Sequence, residues 1–569
     1  VSKKNKPASP VQVANKQSKT FINASTLSII LTSIFFLLSL IGVYNHEPWR
    51  DEFQAYLLGR ESNSFSDLFN NIKYEGHPPL WHIILFIQTR FIDSIFLMQL
   101  IHSLFATATV FILLRFFTFK IYQKILIPFG YFFIYEFNLI ARNYILAIFF
   151  FVLAIFIYKK YFISYLTDVT KELKIMPFIF LGITIFLLAL SSVFGLIMIG
   201  CIWCLLFIDI INLIRQNRLT KQLYKISIPL LIFSIIGILV SYNFIKAEPD
   251  NSYPINYTKG YSQKALEYSL SKITTNYFPV LPTKDELVNI GERRFWNLNI
   301  YIDPKTGFEK DFVFKLSLIF LIPCLLFFFN NQRVLLFYLC GTFGILAFIY
   351  LTNMRPLRYS GNMYCILILS VGLSNEYEKM KPLFSYSISK KLVASIFTVF
   401  FTASLSANAF AGLNAYYQDL LYPFSNTTRA GKYVVDNNLR RLPIMGSSDF
   451  VISPLTYYTH NPVLMPESDR YQNFIIWNKE RKSNTLGFQD IIDLMVKQID
   501  SVKVDTMILV LNTELTYVKN NITYGFTEDN LYGTDVRLKA IHREDEACIV
   551  GDEKYYFYLG TKSTQLSNK

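Results

Sequence analysis

Two carboxylates stand side by side at Asp51 and Glu52, within the stretch Asn45-His46-Glu47-Pro48-Trp49-Arg50-Asp51-Glu52. An apolar run of membrane-spanning length, 26–44, ends directly before them. Further on, Glu75-Gly76-His77-Pro78-Pro79-Leu80-Trp81 opens onto more apolar sequence. Charged groups at the boundary of a bilayer are costly to keep. Residues 51–59 read as a short amphipathic helix, and an acidic pair suits the first turn of any helix. The chemical alternative is a base that takes a proton from a hydroxyl, or a ligand to a metal ion. Cationic company favours chemistry: His77, then Arg142 in Leu139-Ile140-Ala141-Arg142-Asn143-Tyr144, then Arg355 and Arg358 in Asn353-Met354-Arg355-Pro356-Leu357-Arg358-Tyr359. One such cation between apolar runs could reach for lipid headgroups. Several together suit a phosphate or pyrophosphate. Glu136, Tyr144, Arg293 and Arg294 are accessory candidates.

The elements that position these residues are apolar runs. Eleven are long enough to be read as spans, some of them short: 26–44, 95–116, 125–140, 143–158, 176–190, 192–213, 226–246, 312–329, 333–351, 359–375 and 391–410. The 79–92 run is too short to cross and reads as interfacial or re-entrant. If it does not cross, four basic loops fall on the N-terminal side. They carry Arg115, Lys120 and Lys124; Lys159, Lys160, Lys171 and Lys174; Arg215, Arg218, Lys221 and Lys225; and Lys379, Lys381, Lys390 and Lys391. The positive-inside rule prefers that arrangement. It puts the basic tail 1–25 in the cytosol. The first loop 45–94, the segments 136–142 and 352–358, the long loop 247–311 and the whole C-terminus then lie outside. No small-residue cleavage pattern closes the first run, so it reads as an uncleaved anchor.

Residues 26–410 therefore form the membrane module, and 411–569 a different material. In the latter, apolar runs shrink to strand length at 442–445, 462–465, 506–511 and 555–558, with helix-like stretches at 428–439 and 488–499. That pattern predicts a mixed α/β domain on the outer face. The fold class expected is a polytopic α-helical membrane protein carrying a C-terminal extracytoplasmic α/β domain.

Composition agrees. Of 569 residues, 52% are hydrophobic and 17% charged, against about 25% charged in soluble domains. The counts of 53 Phe and 37 Tyr fit lipid-facing and interfacial positions. The net charge of +14 does not indicate nucleic acid, because the excess lies in short loops between apolar runs. Cys201 and Cys204 form a CxxC inside an apolar helix with no second pair nearby, and read as small membrane-helix residues. No glycine-rich phosphate loop opens a helix in the C-terminal region, and no internal repeat is evident.

The order of a first span, Trp49-x-Asp51-Glu52, His77-Pro78-Pro79-Leu80 and Ala141-Arg142-Asn143-Tyr144 resembles the GT-C glycosyltransferases. The nearest branch in pattern is the protein O-mannosyltransferase and aminoarabinose transferase group. The resemblance covers 26–375 and extends loosely to Pro423-Phe424-Ser425. It implies a GT-C-like membrane fold and transfer of a sugar, with inversion, from a polyprenyl-phosphate donor to an acceptor on the non-cytosolic face. Asp51 matches the position of the family's catalytic acid. His77 stands where the aminoarabinose branch usually has a phosphate-contacting Lys, a departure that exchanges a fixed charge for an imidazole. Glu136 takes the place of an acidic residue that some members carry before the Arg142 position.

The chemistry is consistent without the family. Positive charge builds at the anomeric carbon in glycosyl transfer. A phosphate leaving group needs cationic stabilisation, which Arg142, Arg355, Arg358 and His77 offer. Asp51 would accept the proton, with Glu52 beside it. Asp51, Glu52 and Glu136 could alternatively hold a divalent cation such as Mg or Mn. A transporter or flippase for lipid or glycolipid, and a catalytically silent membrane scaffold, are the competing classes. No paired halves with matching broken helices speak for transport. The residues name neither the sugar nor the acceptor, which protein, lipid, glycolipid and cell-wall polymer could each supply. The Ile/Phe/Lys/Asn-rich composition suggests a bacterial plasma membrane.

Overall fold

The computed structural model describes residues 23–168, 172–218, 221–253, 257–281, 295–297, 310–378, 389–482, 486–502, 504–519, 522–531 and 534–562. Helix α1 (Ala24–Asn45) begins where the Asn23 side chain accepts a hydrogen bond from Thr26 N. Its 22 residues make a rod about 33 Å long, the thickness of a hydrocarbon core. Among the described residues eight helices are long and apolar enough to cross a membrane: Ala24–Asn45, Ile95–Phe116, Tyr144–Thr167, Val193–Arg215, Lys221–Ile245, Asp311–Phe329, Gln332–Thr352 and Lys390–Leu421. Their outer faces expose large apolar side chains, such as Leu37 and Ile41, Leu231 and Leu239, and Ile319 and Ile322. Water would penalise such a surface; lipid does not. The chain is a polytopic α-helical integral membrane protein with a C-terminal α/β domain.

Three of the expected spans take another form. The 125–140 run is not one helix. A short helix, Ile121–Leu126, gives way to turns and then a π-helical turn, Phe132–Glu136. The run is apolar because Tyr131, Phe132, Phe133 and Ile134 are buried among other helices, not because it faces lipid. The 176–190 run folds as a 14-residue helix, Met176–Ala189. The 359–375 run folds as Asn362–Tyr377, 16 residues long and buried along nearly all of its length. At about 21 and 24 Å, neither matches a ~30 Å core by itself. Hydropathy reports the company a segment keeps, and protein interior and lipid read alike.

The expected domain boundary at 411 falls inside the 32-residue helix Lys390–Leu421. Its last turns stay helical because they pack on α1: the Tyr416 hydroxyl donates to Leu38 O at 2.8 Å, and Ala415 and Asp419 are buried. The α/β domain starts beyond Leu421.

Between bundle and domain lies a deck of short helices, α2 (Arg50–Glu61), α3 (Phe65–Ile72) and α4 (Leu80–Phe91). Helix α4 covers the 79–92 run with 12 residues, about 18 Å and too short to span. Helix α2 packs on α4 through Gly59, where a Cβ would meet Phe86 N at 2.9 Å. Its Glu52–Gly59 stretch is buried on every side, since membrane helices lie below it and the α/β domain above.

Among the described residues the domain carries nine strands: β1 (Ile444–Ser447), β2 (Val463–Met465), β3 (Arg470–Gln472), β4 (Thr506–Leu511), β5 (Thr516–Lys519), β6 (Ile522–Gly525), β7 (Glu528–Asn530), β8 (Val536–Glu544) and β9 (Tyr555–Lys562). Seven form one sheet in the order β3-β2-β1-β4-β9-β8-β7, with β1 parallel to β2 and β4 and the other pairs antiparallel. Strand β4 reads apolar throughout because both faces are covered. Met507, Leu509 and Leu511 meet the Phe488–Val502 helix, while Ile508 and Val510 meet Thr427–Asp436.

Deep in the bundle, Arg333 Nε donates to Asp209 Oδ1 at 2.7 Å, and the Tyr158 and Tyr377 hydroxyls donate to Asp209 Oδ2 at 2.8 and 2.7 Å. Both charged side chains are fully buried. The cluster joins four helices, and neither charge was singled out from the sequence. Removing one partner of a buried pair strands the other charge, at a cost of about 3–5 kcal/mol. Asp209→Ala should therefore depress the thermal unfolding midpoint in detergent far more than Asp209→Asn, which keeps hydrogen-bonding capacity. Equal, small losses from both variants would remove this cluster from the stability argument.

Candidate active site

Helix α2 begins at Trp49, whose extended backbone (φ −105°) turns the chain into the helix. The next acidic pair then diverges, since successive helical side chains point about 100° apart. Glu52 turns inward. Its Oε1 accepts Ala141 N at 2.6 Å, and its Oε2 accepts Trp49 N at 3.1 Å and faces His46 Nε2 at 3.4 Å. The other ring nitrogen, His46 Nδ1, lies 2.7 Å from Asp419 Oδ2. Burial alone would depress the imidazole, but the carboxylates of Asp419 and Glu52 outweigh it and raise His46 to about 10. An imidazolium thus sits between two buried carboxylates, joining the end of α1, the start of α2 and the last turn of the Lys390–Leu421 helix.

Asp51 turns the other way, into a cavity of 740 Å³ at the outer end of the bundle. Its Oδ2 lies 3.1 Å from Arg142 Nη1 and 3.5 Å from Arg358 Nη2. Arg142 Nη1 also donates to Asp51 O at 2.8 Å. The adjacent carboxylates therefore dock one loop twice, Glu52 through the Ala141 amide and Asp51 through the Arg142 side chain.

Arg358 enters from the short helix Leu357–Ser360. Its guanidinium lies 5.4 Å from the ring centroids of Trp49, Trp296 and Tyr359, an enclosure that favours a cation. The side chain is buried, yet Nε and Nη1 have no hydrogen-bond partner among the described residues. An unmet buried donor costs about 1–3 kcal/mol, more for a charged group. These two donors mark where an anion would be held. Behind them Glu136 accepts Tyr131 Oη–H at 2.9 Å and Trp296 Nε1–H at 3.0 Å, fixing the indole against Arg358.

His77 lines the same cavity. Gly76, at φ +66°, makes the tight turn that a side chain would resist. The His77 ring meets Tyr144 edge-on at 6.3 Å. Burial first, then Arg142, His82 and Arg358, hold its imidazole well below the ordinary value. It is neutral there and offers a hydrogen bond rather than a charge.

Asp51, His77, Arg142, Tyr144 and Arg358 thus meet in one cavity. Glu52 does not line it; it is a buried brace. Glu136 does not line it either, and supports Trp296 instead. Arg355 is exposed, and its carbonyl accepts Lys272 Nζ at 2.8 Å, so it does not join the phosphate-binding set expected of it. Arg293 and Arg294 lie outside the described residues. The metal set expected from Asp51, Glu52 and Glu136 is not assembled: Glu52 is spent on backbone amides and His46, Glu136 Oε2 is held by Tyr131 and Trp296, and only Asp51 of the three lines the cavity. Among the described residues no three His, Cys, Asp or Glu side chains converge as metal ligands.

The sequence reading passed over several participants. Glu75 stands two residues before His77 and lines the cavity. Gln54 Nε2 donates to both Glu75 Oε1 (2.9 Å) and Ile475 O (2.8 Å), while its Oε1 accepts Ile475 N at 3.0 Å. The α/β domain closes the outer wall with Phe450, Trp477 and Arg481, Arg481 being fixed by Asp449 at 2.7 and 2.8 Å. The domain also grips α2 where Arg50 N donates to Glu553 Oε1 and Arg50 Nη1 to Asp552 Oδ1, at 3.0 and 2.8 Å. The Glu75-Gly76-His77 order was the available signal for Glu75; Glu553, some 500 positions from Arg50, gave none.

Fold and site together define an integral membrane protein whose outer cavity sets a carboxylate against two guanidinium groups. Among solved structures the chain is similar to the crystal structure of ArnT from Cupriavidus metallidurans bound to undecaprenyl phosphate. That likeness has a TM-score of 0.48 at 11% identity, over 87% of this chain and 96% of that one. The apo structure of the same protein gives 0.45 at 10% identity, over 86% and 95%. No protein-family model and no curated protein sequence matches the chain.

The His46 brace makes stability depend on pH. Its folded value of about 10 lies above the ~6.5 of a free imidazole. Its contribution is full below about pH 6.5 and is lost as pH rises through the folded value. The unfolding midpoint of the wild type should exceed that of His46→Gln at pH 6, and the gap should narrow by pH 10. A gap independent of pH would show that His46 carries no charge in the fold.

Proposed function

We propose that the protein is an inverting glycosyltransferase. It moves a sugar from a polyprenyl-phosphate donor to an acceptor on the membrane face that carries the α/β domain, the non-cytosolic face by the distribution of Lys and Arg. The observation that carries this reading is Arg358, a buried guanidinium with two donors unpartnered among the described residues, set beside Asp51. The motif order shared with GT-C glycosyltransferases supports it.

The phosphate would lie on the free donors of Arg358 and on Arg142, with a hydrogen bond from neutral His77. Cationic donors in a shielded site stabilise charge far better than they do in water. Below them the cavity wall is apolar, with Val193, Phe194, Ile245 and Phe348. A polyprenyl tail would leave on that side while its phosphate stays at the boundary.

As the C1–O bond to phosphate breaks, its electron pair goes to the phosphate, which keeps the charge and needs no proton. The acceptor oxygen attacks the opposite face of C1 and loses its proton to Asp51. Asp51 Oδ1 has no partner among the described residues and is available for that. Before donor binding, Asp51 Oδ2 holds Arg142 and Arg358 in place. A phosphate that shares those guanidinium groups would loosen the hold and free Asp51 to face the acceptor. One displacement inverts the configuration.

Asp51→Asn should abolish sugar transfer at normal expression, whether followed as release of polyprenyl phosphate or as loss of the cellular glycoconjugate by mass spectrometry. Wild-type transfer by that variant would exclude the mechanism and leave the scaffold reading. Arg358→Lys keeps charge but loses the fork of donors, and should weaken polyprenyl-phosphate binding about 10–100-fold, measured by ligand-dependent thermal shift. Unchanged binding would take the phosphate away from Arg358.

A further inference from the structure

Asp51 alone is an awkward end point for a proton. Asp51 can serve the next acceptor only after passing this proton on, and while it carries the proton it cannot pair with Arg142 and Arg358 as it does at rest. A turnover therefore needs a second place for that proton, near Asp51 and stable as an acid at neutral pH.

Glu75 has that placement. Asp51 and Gln54 lie three residues apart on α2, a spacing that puts both on one helix face. Gln54 clamps Glu75 through Oε1 at 2.9 Å, so the clamp brings the second carboxylate to the Asp51 side of the cavity. Both carboxylates line that cavity. The other oxygen of Glu75 has no partner among the described residues. The turn that presents Glu75 is fixed, with its amide on Ile72 O at 3.0 Å and Gly76 in the left-handed region. The groups facing it are Asp51 and Gln54 from α2, Arg142 from the 137–143 loop, and Tyr74 and His77 from its own loop. The Tyr74 hydroxyl is engaged with Asp250 at 2.9 Å, and His77 is neutral. No cation holds Glu75 in a close ion pair among the described residues, in contrast to Asp51.

We infer that Glu75 receives the acceptor's proton from Asp51 within the cavity they share, making Asp51 and Glu75 a two-carboxylate relay. The inference rests on the glycosyl-transfer reading and assigns Glu75 as a positioning residue acting through Asp51. The proton balance is closed: the acceptor O–H bond breaks, C1 gains the oxygen, the proton passes to Asp51 and on to Glu75, and the electron pair of the broken C1–O bond stays on phosphate. Burial, against the Gln54 hydrogen bond and Arg142, pushes Glu75 up to about 7. It therefore holds a proton near neutral pH and releases it above, readying the site for the next cycle.

The test uses the full chain in lipid nanodiscs. A polyprenyl-phosphoryl hexose series serves as donor, membrane extract from the source cell as acceptor, and release of polyprenyl phosphate as readout. Glu75→Gln should lower kcat at least 10-fold with KM for the donor unchanged. The acid limb of the pH profile near 7 should vanish, and added formate or imidazole should restore part of the rate. Gln54→Met removes a hydrogen bond that favours the ionised form, so it should move that limb to higher pH. An unchanged rate and limb in Glu75→Gln, or a loss confined to donor KM, overturns the relay. If Glu75→Gln does not fold, infrared difference spectra of wild type and Gln54→Met decide: a carboxylic-acid C=O band that titrates near pH 7 and shifts in the variant supports the assignment, and its absence overturns it. Failure of the glycosyl-transfer reading looks different. It would show as no release of polyprenyl phosphate by the wild type, whatever the infrared titration gives.

Discussion

The site depends on one buried charge arrangement, the imidazolium of His46 held between Asp419 and Glu52. A carboxylate taken out of water must be paired or fully hydrogen-bonded. Glu52 meets that demand with His46 on one side and the Trp49 and Ala141 amides on the other. Because Glu52 is fixed, the first turn of α2 is fixed, and its neighbour Asp51 can face only the cavity. Because Ala141 is fixed, Arg142 is carried to within 3.1 Å of Asp51. A helix start, a loop and the end of a distant helix are thereby set relative to one another before any ligand arrives.

Preorganisation of that kind is what the proposed glycosyl transfer from a lipid phosphate would demand. The charge that develops on the leaving group must meet donors already in place, in surroundings from which water is largely excluded. Arg358 illustrates the tension. Its aromatic enclosure suits a cation, and yet two of its N–H groups are left unmet. A fold that kept such a group without an anion to bind would bear the cost for nothing, whereas an anion-binding site recovers it in the complex.

The α/β domain is more than a cap. Its Ile475 backbone holds Gln54, its Asp552 and Glu553 hold Arg50, and its Phe450, Trp477 and Arg481 supply the outer wall. The membrane half supplies the apolar floor and the cations. The cavity thus has an apolar side formed by the membrane half and a polar, aromatic side formed by the α/β domain.

Residue order already carried much of this. Apolar runs of span length at 26–44 and 95–116, and the strand-length apolar runs near 444, 463, 506 and 555, were legible because the length of a continuously buried segment shows directly in residue order. So was the expectation that Asp51, His77, Arg142 and Arg358 lie on one face, which the shared cavity matches, since ionisable groups at span ends are expensive and few. The split of the 125–140 run, the helix running through 411, and the different fates of Asp51 and Glu52 were not legible. Identical carboxylates one residue apart are separated only by the helical turn between them and by what waits on each side. For Glu52 that is a histidine and an aspartate at positions 46 and 419; for Asp51 it is two arginines at 142 and 358. The chain by itself determined that several charges stand at the ends of apolar runs. Only the tertiary structure decided which of them became structural braces and which were left facing a cavity, because pairing energy depends on distances between residues hundreds of positions apart.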